Sequence, residues 1–153
     1  METEDHREEL QSLMMEAEQY KRRMDSIRAQ MQILDTSNEE LHNSMSALTA
    51  LEENTAGTGI LVSIGSGSFI RAQLKDCEKV IVGVGSSLSM EKSIPDAKKF
   101  LEERLKEVSE AQEKMRKAAA ETAEAIQSLD DEYRHVISHM QEENKIDKER
   151  KNV

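Results

Sequence analysis

The chain has 153 residues, which allows one domain or at most two. Charged residues make up 34% and apolar residues 37%, with one proline, one cysteine, no tryptophan and only two Phe and two Tyr. So few aromatics argue against a conventional globular core with an enzyme cavity, and the lone Cys77 excludes an internal disulfide.

The net charge of −10 is unevenly spread. Residues 1–53 carry 5 basic and 13 acidic side chains (−8), residues 54–93 carry 4 and 3 (+1), and residues 94–153 carry 12 and 15 (−3). Neither flank offers the basic stripe that nucleic acid or an anionic membrane demands. No run of 18 apolar residues suggests a transmembrane helix, and the acidic start METEDHREEL does not read as a signal peptide. A reducing, cytoplasmic setting is expected.

All six glycines lie between Gly57 and Gly85, with Pro95 just beyond. The expected organisation is therefore a helix over 1–54, a glycine-punctuated assembly segment over 57–92, and a second helix over 93–153. The first helix carries an unbroken heptad register: Leu10, Leu13, Ala17, Tyr20, Met24, Ile27, Met31, Leu34, Asn38, Leu41, Met45, Leu48. Steps of three and four sustained over this length predict a coiled coil, with Asn38 as a polar residue that sets register.

The middle segment predicts two β-hairpins. Ile60–Ile64 and Ser68–Leu74 flank Gly65-Ser66-Gly67, and Val80–Val84 and Leu88–Glu91 flank Gly85-Ser86-Ser87, with Lys75–Glu78 joining the pairs. Such short strands bury little by themselves and leave edges to pair. Oligomerisation through Ile60, Val62, Ile64, Phe69, Ile70, Val80, Ile81 and Val82 is expected.

Ser93-Ile94-Pro95-Asp96 marks the start of the second helix, with Ser93 as cap and Asp96 as the capping-box acid. Its register runs Leu101, Leu105, Val108, Gln112, Met115, Ala119, Thr122, Ile126, Leu129, Tyr133, Val136, Met140. Twelve seam positions on each helix predict an antiparallel hairpin of arms roughly 60 Å long, at 1.5 Å per residue. Leu48 then faces the level of Leu101, and Leu10 that of Met140. The fold class is thus α+β: a long antiparallel two-helix coiled coil connected by two β-hairpins.

No catalytic set emerges. Gly65-Ser66-Gly67-Ser68 and Gly83-Val84-Gly85 lack the lysine and the following helix of a phosphate cradle. His135 and His139 share a helix face, but no third ligand completes a metal site, so neither metal nor cofactor is expected. The end of the arm furthest from the β segment is less ordinary. There the apolar stripe widens, with Met14, Met15 and Ile137 beside the seam residues Leu10, Leu13, Val136 and Met140. Flexible methionines suit varied partners.

Helix, two hairpins, helix, with Gly59-Ile60-Leu61-Val62-Ser63-Ile64-Gly65-Ser66-Gly67-Ser68-Phe69-Ile70-Arg71-Ala72 and then Val80-Ile81-Val82-Gly83-Val84-Gly85 and Met90-Glu91-Lys92, resembles the prefoldin α-type subunits, those of archaeal type. The likeness spans essentially the whole chain. Its specific part is Ile60–Lys92, and Ser63 departs from the proline frequent there in that family. The resemblance implies an ATP-independent chaperone subunit. It implies partnership with prefoldin β-type subunits in an α2β4 heterohexamer whose strands form an intersubunit β-barrel. It also implies unfolded client proteins held at the arm tips and delivered to a group II chaperonin. The competing function is a coiled-coil adaptor or tether with one specific folded partner.

Overall fold

The computed structural model describes the backbone of residues 2–85 and 87–151, and the side chains of 6–85, 87–143, 145 and 146. The order of elements is α1 (Glu2–Glu52), β1 (Gly59–Gly65), β2 (Ser68–Gln73), β3 (Lys79–Gly85), β4 (Leu88–Ser93) and α2 (Ile94–Lys151). The strands form two separate antiparallel two-stranded sheets, β1-β2 and β3-β4. The chain divides into two compact units: residues 34–111, and residues 1–33 with 112–153.

Residues 34–111 hold both hairpins and the helix segments beside them. Their core is Leu48, Ile94, Ala97 and Leu101, with Leu41, Met45, Leu51, Phe100, Val80 and Val82 packed against it. Ala97 is fully buried, where a larger side chain would overpack the cluster. The Lys98 ammonium donates to the Glu52 carboxylate at 2.5 Å, and the Ile94 amide donates to the Glu78 carbonyl. Two cations lie over the Phe100 ring, Arg104 at 5.2 Å and Lys92 at 5.5 Å from its centroid.

The start of α2 follows from its capping chemistry. The Asp96 amide donates to Ser93 Oγ at 3.2 Å, and that hydroxyl donates to the Asp96 carboxylate at 2.7 Å. The acid thus returns to the cap's side chain, where the expected box would have used the cap's backbone amide. Ser93→Ala should lower stability by about 1 kcal/mol in urea unfolding, since the first-turn amide loses its acceptor.

Each hairpin turns more tightly than the three-residue loops expected. Gly65 pairs with Ser68 and Gly85 with Leu88, after a register shift that leaves Ile64 and Val84 as bulge residues. The β1-β2 loop is therefore Ser66-Gly67, with φ of 50° and 71°. Positive φ at both central positions is the type I′ signature and matches the strand twist. In the second turn Ser87 has φ of 60°, and Ser86 lies outside the described residues.

Lys79 and Glu91 bridge β3 and β4 at 2.9 Å. The Glu91 hydrogen bond, aided by its charge, raises the Lys79 pKa above its ordinary 10.5. A raised folded-state value means the stabilisation is present below the unfolded pKa and is lost as pH rises through the folded one. Glu91→Gln should therefore loosen this hairpin slightly at neutral pH and make no difference in strong alkali, as amide exchange across β3 and β4 would report. The effect is small because both groups are exposed.

In the other unit, 1–33 with 112–153, the heptad register is the burial pattern. Ile27, Thr122, Leu129 and Val136 are buried, and Leu10, Leu13, Ala17, Tyr20, Met24, Met31, Met115, Ala119, Ile126, Tyr133 and Met140 are half-buried. His6 Nε2 lies 3.6 Å from the Glu143 carboxylate. Thr122 satisfies its buried hydroxyl locally, donating to the Ala118 carbonyl at 2.6 Å. In each unit the facing pairs, 6 with 143 and 52 with 98, have numbers adding to 149 or 150, the register expected for the antiparallel hairpin.

Candidate functional surfaces

The β segment exposes apolar side chains in two different ways. In the first hairpin, Val62 pairs with Ile70 and Ile60 with Ala72 on one face, and Leu61 with Arg71 and Ser63 with Phe69 on the other. Leu61, Ile64, Phe69 and Ile70 are between 49% and 67% exposed and Val62 is 39% exposed, so neither face is covered by the chain itself. The second hairpin is one-sided. Val80 and Val82 pack on the helix core, and Ile81, between them on the opposite face, is 77% exposed.

Of the eight expected assembly residues, Val62, Ile64, Phe69, Ile70 and Ile81 are exposed and Ile60 is half-buried. Val80 and Val82 are half-buried against the chain's own core, because the apolar base of the helix pair takes one face of β3. Leu61, Leu88 and Met90, not singled out from the sequence, add exposed apolar area. Their signal was their place in the expected strands.

The helix ends form the second surface, within the unit of 1–33 and 112–153. Met14 and Met15 are each 60% exposed, while Leu10, Leu13, Ile137 and Met140 are half-buried. Val136 is buried at 8% exposure, so it belongs to the seam and offers no contact surface while the helices stay paired. Ile146 and Ile33, at 51% and 69% exposed, lie off the heptad seam and escaped the periodicity reading. Leu13, Met14, Ala17, Leu129 and Tyr133 line a cleft of about 350 Å³ rimmed by Glu18, Lys21 and Asp130.

The His135 and His139 rings lie 4.7 Å apart, tilted by 59°. Among the described residues no three His, Cys, Asp or Glu side chains converge as a metal-binding group. Glu18 accepts a 2.8 Å hydrogen bond from Arg22, and this bond, with the guanidinium charge, holds its carboxyl below the usual range. Among the described residues, no helix is long and apolar enough to cross a membrane.

A family model for prefoldin subunits matches residues 20–139, which include both hairpins and most of both helices. The chain belongs to the prefoldin family. Among its relatives is a prefoldin subunit alpha from Methanoregula boonei, 32% identical over 133 residues, 82% of this chain and 84% of that one. A prefoldin subunit alpha from Pyrococcus horikoshii is 48% identical over 67 residues, covering 44% of this chain and 45% of the relative. The cryo-EM structure of filamentous prefoldin from Methanocaldococcus jannaschii is similar at a TM-score of 0.65 and 27% identity, covering 75% of this chain and 95% of that one. Two hairpins between two long helices accord with the α-type prefoldin assignment, and the chain is a prefoldin chaperone subunit.

Proposed function

We propose that residues 1–153 act as one prefoldin subunit that joins related subunits through its β-hairpins and holds non-native proteins at its helix ends. The observation that carries this reading is the placement of uncovered apolar area. It is concentrated on both faces of the first hairpin and on the outer face of the second, and again on Met14 and Met15 beside the helix ends. Apolar area of this kind, contiguous and unpartnered, marks interaction surfaces.

The first hairpin, uncovered on both faces, suits insertion between neighbouring strands, and the second suits a sheet closed on one side by its own helices. Together they support an intersubunit β-barrel, and membership of the prefoldin family supports β-type partners in an α2β4 composition and client delivery to a group II chaperonin. A cytoplasmic, non-enzymatic role without nucleotide fits the same reading. A tether with one folded partner would instead present charges selecting one helix, and exposed thioethers that repack favour the generalist holder.

The test is aggregation of a denatured protein in the presence of the assembled oligomer. Replacing Met14 and Met15 by Ser should weaken suppression several-fold, and ATP should leave suppression unchanged. Equal protection by parent and variant, or a requirement for ATP, would count against this function.

A further inference from the structure

The cleft beside Met14 has a cause in the heptad register. Ala17 occupies a seam position where residue numbers adding to 150 bring it level with Tyr133, and both residues line the cleft. A methyl group where coiled coils ordinarily place a branched aliphatic leaves volume unfilled. The result is about 350 Å³ of space, at the lower end of ligand-sized pockets and roomy enough for one large side chain. Its floor is apolar, with Leu129 buried, and Met14 stands at its edge as a 60% exposed, flexible wall.

The surroundings are acidic. Among the described side chains, residues 6–18 hold four acidic and one basic, and residues 130–146 hold five and two, so these stretches together carry −6 with histidines neutral. On the rim itself two carboxylates, Glu18 and Asp130, stand against one ammonium, Lys21. Glu18 uses Oε1 for Arg22, and Asp130 uses Oδ2 for Arg134 at 3.6 Å. These are exposed one-turn pairs that compete only weakly with an incoming cation.

We infer that this preformed cleft is a specificity subsite of the client-holding surface. It takes one large apolar side chain from a non-native segment whose neighbouring residues are Lys or Arg. The inference rests on client holding at the helix ends and adds to it the place and the sign of charge. Binding here needs no separation of the seam, because Met14 and the mouth of the cleft are already accessible. Cationic flanks raise local concentration at the acidic ends and select against acidic segments.

The experiment uses the assembled oligomer and two short fluorescent peptides with the same Leu-Phe-Leu centre, one flanked by Lys and the other by Glu. Fluorescence anisotropy at low salt should show the Lys-flanked peptide binding about fivefold more tightly, with the gap narrowing as salt screens it. Glu18→Gln with Asp130→Asn should shrink the gap. Ala17→Leu fills the cleft with a residue that suits a coiled-coil seam, so the helices stay folded by circular dichroism while binding is lost. Equal binding of the two peptides, or full binding by the Ala17→Leu oligomer, overturns the inference. A photo-reactive group on the peptide's central Phe separates the two levels of the argument. Cross-links within 13–21 and 129–133 support the cleft. Cross-links elsewhere on the helices overturn the cleft but leave client holding by the helix ends in place. Cross-links on the hairpins alone overturn both.

Discussion

Removing residues 1–14 together with 136–153 should abolish suppression of aggregation while leaving the number of subunits per oligomer unchanged. The deletion takes away Leu10, Leu13, Met14, Val136, Ile137 and Met140, and with them one wall of the cleft. Each aliphatic side chain buried against a client could contribute about 1.5–3 kcal/mol. Much of that is offset by ordering the client and the side chains. A single helix pair therefore binds weakly, and useful holding needs several of them on one assembly, where effective concentration multiplies weak contacts. This is why loss of the ends should remove nearly all activity and not a fraction of it. Arg28→Ala is the matched control: the side chain is exposed and its ion pair with Asp25 is a 3.6 Å one-turn surface contact, so protection should be unchanged. If the truncated oligomer protects a denatured client as well as the intact one, the holding surface lies on the β-hairpins.

Ile81→Asp should dissociate the oligomer without unfolding the chain, and Phe69→Asp should do the same. Both residues are well exposed in the isolated subunit, at 77% and 58%, so the charge meets water there, and the cost to the fold is limited to the like charge of Glu91 opposite position 81, up to about 1 kcal/mol. In an assembly that covers these faces, the same carboxylate would be buried without a partner, at a penalty of several kcal/mol. The core of Leu48, Ile94, Ala97 and Leu101 is not touched by either change. Sedimentation velocity should therefore show single subunits while far-ultraviolet circular dichroism keeps most of the helical signal. An oligomer of unchanged size carrying Ile81→Asp would show that the second hairpin's outer face is not an interface.

The two helices, their pairing and their register were legible in the residues alone. Seam spacing is a local property of each helix, and a periodicity of three and four over eleven turns leaves a single stripe to bury. The start of α2 was equally readable, since Ser93 and Asp96 bond to one another within one turn. The hairpins were legible as elements because glycines and β-branched runs mark them locally.

What no local pattern could decide was which apolar face is covered. Both faces of β1-β2 and of β3 carry aliphatic or aromatic side chains, so alternation alone cannot tell Val80 and Val82 from Ile81. The choice is made by the helix pair, whose base presents Leu48, Ile94 and Leu101 to one side of β3 and leaves the other in water. At the helix ends the heptad spacing already set Val136 in the seam and Met14 beside it, and packing gives the degree: Val136 is 8% exposed and Met14 60%. The cleft has the same origin. Ala17 is an ordinary small seam residue until Tyr133 and Leu129 stand around it, and only the paired helices turn the missing side-chain volume into a site.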